Sequence, residues 1–165
     1  MIAAAAMAAC DGADDARTPA PSQAAAQAEG KARPEETVEI GAVALRLGES
    51  DGRCRIAFAA GEAQADVEAP CFFLRRGGTV QRFAYPAQAV DAVVMIGGGA
   101  IDGEQRRHWG IDPKEPCGTR AQAVLVSGKT VTLGKPPLSG GVFCRNHGLD
   151  EKEFALAAER SGGKE

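Results

Sequence analysis

Residues 90–104, VDAVVMIGGGAIDGE, decide the class of fold. An apolar strand runs into three glycines, as it does where a strand meets the phosphate-binding turn of a dinucleotide domain. The register rejects that reading. Counting the G-x-G-x-x-G fingerprint from Gly97 puts Asp102 at the sixth position, where Gly or Ala is required; counting from Gly98 puts Ala100 at the third. No helical pattern is predicted to follow, so no helix N-terminus stands ready for a pyrophosphate. The stretch reads as a short buried strand over 90–96 that leaves through a flexible glycine turn, and the chain as β rather than α/β.

The neighbouring segments agree. Upstream, residues 71–76 (CFFLRR) and 79–85 (TVQRFAY) flank Gly77-Gly78, a strong two-residue hairpin signal. Arg75, Arg76 and Arg82 beside it are expected to guard an exposed strand edge. Residues 53–59 (RCRIAFA) put Cys54, Ile56 and Phe58 on one face. A turn at Ala60-Gly61-Glu62 leads to a return strand over 64–69. In 38–47 the apolar parity switches beside Gly41, which predicts a bulge. Downstream, 119–126 and 130–133 flank Ser127-Gly128-Lys129 as another hairpin, and 141–144 is a last short strand.

The end of the chain predicts a helix. Asp150 is an N-cap with Glu153 three residues on, as in a capping box, and Leu149 and Phe154 hold the staple positions. Phe154, Ala157 and Ala158 share a face, Arg160 lies in the last turn and Gly162 follows as a stop. The expected fold is mainly β: one small antiparallel β domain over 37–160 with a short C-terminal α-helix, a disordered linker before it and a disordered tail over 161–165.

The linker is inferred from composition. Residues 11–36 are rich in Ala, Gln, Pro and charge and have almost no large apolar side chain, so they bury too little to offset their ordering entropy. As a flexible coil such a segment spans roughly 30 Å. Ahead of it, residues 2–9 are small, apolar and uncharged, and much too short for a bilayer span. Met7-Ala8-Ala9-Cys10 resembles the lipobox of bacterial lipoproteins. The resemblance implies that 1–9 is a signal-peptide remnant, that cleavage precedes Cys10, and that lipid is attached to its thiol and new amino group. It also implies a periplasmic location, and Asp11 after the cysteine matches the pattern that retains some lipoproteins in the inner rather than the outer membrane.

The other cysteines are Cys54, Cys71, Cys117 and Cys144. An even number in an exported chain points to two disulfides. Of the three possible pairings, Cys54–Cys71 with Cys117–Cys144 is favoured, because each pair flanks a predicted hairpin. Each would contribute about 3 kcal/mol in the chain-entropy treatment. Zinc and free buried thiols are the alternatives; zinc lacks support, since no Cys-x-x-Cys occurs and His108 and His147 lie at no ligand spacing.

Net charge is −3, and between Thr37 and Leu149 there are 13 Lys+Arg against 11 Asp+Glu. That balance provides no electrostatic footprint for nucleic acid. Chemistry is equally sparse. No GxSxG appears. His147 lies near Asp150, Glu151 and Glu153, but helix capping already occupies those acids. The candidate binding residues are Arg106, Arg107, His108 and Trp109, which hold the only tryptophan. Arg and Trp are enriched at interfaces. Either the four form a recognition patch, or Trp109 folds back onto the core with the arginines solvated around it. No catalytic set, metal or cofactor is assigned. The expected function is a tethered module that binds another envelope or periplasmic protein, such as an inhibitor or immunity-type protein of a hydrolase or toxin. The alternatives are a structural accessory subunit of an envelope complex and, last, an enzyme.

Overall fold

Residues 35–162 are described by the structure, a computed structural model. The signal segment, Cys10, the linker up to Pro34 and residues 163–165 of the expected tail lie outside the described residues. Strands β1 (Glu36–Ile40), β2 (Val43–Ser50), β3 (Arg53–Phe58) and β4 (Gly61–Glu68) form an antiparallel meander in that order. One face is buried: Val43, Leu45 and Leu47 alternate with exposed Ala44 and Arg46. The parity switch at Gly41 is a hairpin loop and not the expected bulge. Ile40 lies opposite Val43, and only Gly41 and Ala42 connect them. Gly41 takes φ +58°, the positive φ that a two-residue loop requires at its first position. Asp51 and Gly52 join β2 to β3 with positive φ at both residues, the Asp-Gly form of the same device.

The chain then passes through β5 (Phe72–Phe73), β6 (Arg75–Arg76), β7 (Thr79–Val80) and β8 (Arg82–Tyr85) into β9 (Val90–Gly98). After a short helix α1 (Gly103–His108) come β10 (Cys117–Gly118), β11 (Arg120–Ser127), β12 (Thr130–Leu133), β13 (Phe143–Cys144) and helix α2 (Glu151–Gly162). The second sheet has the order β12-β11-β9-β5, and β8 also pairs with β9. All pairings are antiparallel. The fold is mainly β, as expected.

β9 is apolar without alternation because both of its faces are covered. Ala92, Val94 and Ile96 pack with Val124 and Val126 against Leu45, Leu47, Ile56 and Val67 of the first sheet. Val93 and Met95 pack with Ala121, Ala123 and Leu125 against Phe154 and Ala158 of α2. The layers are therefore sheet, sheet and helix, with β9 and β11 in the middle layer. A strand with two dry faces reads as a continuous apolar run.

This packing corrects the reading of the glycines. Gly97 and Gly98 belong to the strand and not to a flexible turn. A Cβ on Gly97 would lie 2.4 Å from the Phe72 ring, and one on Gly98 would lie 2.3 Å from the Glu68 carbonyl oxygen. They are there because their neighbours approach so closely. Gly99, at φ +79°, makes the turn. Gln122, the large polar residue fully buried in the middle layer, is satisfied on both sides. Its Oε1 accepts from the Asp66 N–H at 2.7 Å, and its Nε2 donates to the Gly134 carbonyl at 2.9 Å.

The ends differ from expectation in small ways. Glu36, assigned to the linker, opens β1. α2 runs through Ser161 and Gly162, past the expected boundary at Arg160, and the Ser161 hydroxyl donates to the Ala157 carbonyl at 2.9 Å. Phe154 and Ala158 are buried as predicted. The N-terminal contact of α2 runs through the backbone, with Glu153 N–H donating to the Asp150 carbonyl at 3.1 Å, while the Asp150 carboxylate lies 3.6 Å from Lys152 Nζ.

Gly98→Ala is expected to cost about 1–3 kcal/mol, the range for forcing volume into a filled interior. Gly141→Ala, whose Cβ meets nothing nearer than 3.7 Å, should stay within about 0.5 kcal/mol of wild type. Urea unfolding midpoints at constant slope check the difference.

Candidate functional site

The segment 99–116 leaves the sandwich as a separate excursion. Gly99 N–H donates to the Glu68 carbonyl at 2.6 Å, and the Thr119 N–H returns to the Gly99 carbonyl at 3.2 Å, closing the base. The helix within it was not predicted, although its signals stand in the sequence. Asp102 Oδ1 accepts from the Gln105 N–H at 2.7 Å, and Gln105 Oε1 accepts from the Asp102 N–H at 3.4 Å: the capping box forms here. Glu104 lies in the first turn and Arg106, Arg107 and His108 in the last, the charge order the helix dipole favours. Gly110 takes φ +63° and stops the helix. Its N–H donates to the Arg107 carbonyl at 3.2 Å, and the Ile111 N–H to the Arg106 carbonyl at 2.9 Å, a Schellman motif.

The structure divides the four candidate residues. Arg106 turns inward: its Nη1 donates to the Asp112 carbonyl at 3.2 Å and the Glu115 carbonyl at 3.0 Å, and so clasps the loop that follows. Arg107, His108 and Trp109 face outward. Trp109 is 61% exposed, so it does not fold back onto the core. Its ring lies edge-on to His108, with centroids 5.8 Å apart. Helix α1 buries no residue. Beside Trp109, an open cleft of about 230 Å³ is lined by Gln105, Thr119, Gly140, Gly141 and Val142.

This excursion is fixed along one side. Asp112 Oδ1 accepts from the Lys114 N–H at 2.8 Å. The Glu115 carboxylate accepts from Asn146, from the backbone N–H at 2.9 Å and from Nδ2 at 3.0 Å. The Arg145 N–H donates to the Pro116 carbonyl at 2.8 Å. Cys117 and Cys144 face each other across the β10–β13 ladder and are disulfide-bonded. The other disulfide joins Cys54 of β3 to Cys71, just before β5, within the main core. Both are the favoured pairings.

Arg145 is held from its other side by Glu36. The Glu36 carboxylate takes hydrogen bonds from Arg145 Nη2 at 2.8 Å, from Arg75 Nε at 2.9 Å and also from Arg75 Nη2, and from the Phe73 N–H at 3.3 Å. Burial alone would raise the Glu36 carboxyl pKa. The Arg75 hydrogen bonds, the Phe73 N–H and the charge of Arg145 outweigh it and hold the group below its ordinary value of 4.5. This ion cluster also revises the role given to the hairpin arginines. Arg75 is bound by Glu36 and the Gly78 carbonyl, Arg76 donates to the Leu149 carbonyl at 3.2 Å, and Arg82 to the Glu39 carbonyl at 3.3 Å. They tie segments together and do not merely guard an edge, because each guanidinium reaches a carbonyl or carboxylate of another segment.

His147 is exposed, and its backbone N–H donates to the Cys144 carbonyl at 3.3 Å. Among the described residues no carboxylate lies within ion-pair distance of it. Among the described residues, no group of three or more His, Cys, Asp and Glu is placed to hold a metal ion, and no helix is long and apolar enough to cross a membrane. Cys10 lies outside the described residues. The chain matches no family model, no curated protein and no solved structure.

Glu36→Gln is expected to destabilise the protein by about 1.5–3 kcal/mol at pH 7, the worth of hydrogen bonds to a charged group. Because folding depresses the Glu36 pKa, its contribution is complete above pH 4.5 and is lost as pH falls through the lower folded value. The gap between wild type and variant in urea should therefore close on acidification below pH 4.5. A gap independent of pH would contradict the cluster's role.

Proposed function

We propose that the chain is a lipid-anchored periplasmic module that binds another envelope protein through the Arg107–His108–Trp109 surface. The observation that carries the binding reading is Trp109. It is the sole tryptophan and is 61% exposed, on a helix end that a capping box, a Schellman turn and the Arg106 clasp hold in place. A rigid, exposed aromatic beside an arginine is the composition of an interface anchor, and a preorganised one loses little entropy on binding. The anchor is proposed from the lipobox-like Met7-Ala8-Ala9-Cys10, and the periplasmic address follows from it. Two disulfides in one small domain support an oxidising compartment. Within this reading, an inhibitor or immunity-type protein of an envelope hydrolase or toxin is the concrete version. An accessory subunit of an envelope complex is the second reading, favoured by the same anchored build.

Full-length protein extracted from membranes should have the mass of a chain beginning at Cys10 with acyl groups added, and Cys10→Ser should release it to the soluble fraction. Cross-linking in the intact envelope followed by affinity capture should recover a partner with wild type. Recovery should fall about tenfold or more with Trp109→Ala, the loss of a hot-spot anchor, and less with Arg107→Ala, with thermal stability unchanged in both. An unmodified mass would remove the anchor. Equal recovery with Trp109→Ala would remove the surface.

A further inference from the structure

The two disulfides sit in cores of different size. Cys54–Cys71 lies within the main core between the sheets. Cys117–Cys144 lies in a satellite core whose other buried member is Ile101, with Ile111 and Val142 half-buried against it. That satellite is the apolar attachment of the segment bearing Trp109, since α1 itself buries nothing. The remaining ties are few: the Arg145–Pro116 backbone bond, the Glu115–Asn146 pair and the Gly99 closure at the base. On the far side, Arg145 is gripped by Glu36, so the 142–146 segment belongs to the body and 99–116 is the side free to move.

We infer that the Cys117–Cys144 bond is a redox-sensitive latch: intact, it seats the 99–116 segment and so fixes the Trp109 surface; reduced, it frees that segment while the sandwich, α2 and Cys54–Cys71 persist. The regulatory meaning of the latch rests on the proposed binding surface, but the latch itself does not. The reductant is a dithiol. One of its thiolates attacks a sulfur of the Cys117–Cys144 bond and forms a mixed disulfide, and the other cysteine leaves as a thiolate and takes a proton. The second thiolate of the reagent then displaces the remaining protein sulfur, which is protonated in turn. The protein gains two electrons and two protons, and the dithiol is oxidised to its cyclic disulfide.

In the closed state Cys117 and Cys144 are 1% and 4% exposed, so attack passes through local opening of the satellite core. That opening releases a few apolar side chains. Cys71 borders a surface cavity and is 7% exposed, but it and the fully buried Cys54 are members of the main core, so freeing that bond disturbs a much larger apolar cluster. Elements with little buried apolar surface open at lower free energy than the global core, and this ranks the two bonds although their static exposures are alike.

The oxidised full chain is titrated with dithiothreitol, quenched with iodoacetamide and mapped by mass. Cys117 and Cys144 should become alkylated at a reductant concentration about tenfold below that needed for Cys54 and Cys71, reflecting the difference in opening free energy. Over the same range the fluorescence anisotropy of the single tryptophan should fall, trypsin should gain access at Arg106, Arg107 and Lys114, and far-UV circular dichroism should hold. A Cys117→Ser/Cys144→Ser variant should show the loosened state without reductant. The inference fails if the two bonds are reduced together as the dichroism collapses, if Cys54–Cys71 goes first, if selective reduction leaves anisotropy and cleavage unchanged, or if the serine variant is globally unfolded. Every readout is on the free protein, so the outcome is separate from that of the partner capture.

Discussion

Covering both faces of β9 is the constraint from which the architecture follows. Nine residues, Val90–Gly98, run through the middle layer with the first sheet on one side and α2 on the other. Fully burying a large aliphatic side chain is worth about 1.5–3 kcal/mol, so this strand and β11 beside it carry much of the apolar gain. The same burial leaves no room at the C-terminal end of β9, where Phe72, Glu68 and Gly118 pass against Gly97 and Gly98. Gln122, fully buried in this layer, is paired through both ends of its amide: it bridges β4 to the turn after β12 and so fixes how the sheets face each other.

The segment after β9 has the opposite character. It contributes little to the core, and most of its polar groups are committed locally. Asp102 and Gln105 cap α1, Arg106 clasps the loop, Asp112 shapes the turn, and Glu115 reaches Asn146. Arg107, His108 and Trp109 are among the exposed side chains left uncommitted, displayed on a frame that the neighbouring polar groups have built. Loops positioned by a rigid scaffold are where binding residues concentrate. Here the frame rests on a satellite core and a disulfide, so order in the displayed surface is separable from the stability of the sandwich.

Much of the fold was legible in the sequence because local signals and burial agreed. The Gly77-Gly78 and Ser127–Lys129 hairpins, the buried run at 90–96 and the face formed by Phe154, Ala157 and Ala158 all follow from turn chemistry and period. Where tertiary packing overrides a local signal, the reading failed. The glycines after Ile96 look like a turn until Phe72 and Glu68 are placed against them. Glu36 looks like linker charge until Arg75 and Arg145 arrive from 39 and 109 residues away. Helix α1 is a different case: Asp102-x-x-Gln105 and Gly110 announce its start and stop, but six residues with no buried face give no apolar period to detect. The exposure of Trp109 was not legible, because composition allowed both a core and a surface role.

Native-state hydrogen exchange, resolved by peptide mass, tests the central claim that a doubly covered strand supports a separately ordered display segment. The account predicts that amides of β9 and β11 exchange only through global unfolding, with a denaturant dependence equal to that of the whole chain, while amides of 100–116 exchange through a smaller opening of lower free energy. If the two regions exchanged with the same free energy and the same denaturant slope, the scaffold and the segment would be one cooperative unit and the account would be contradicted.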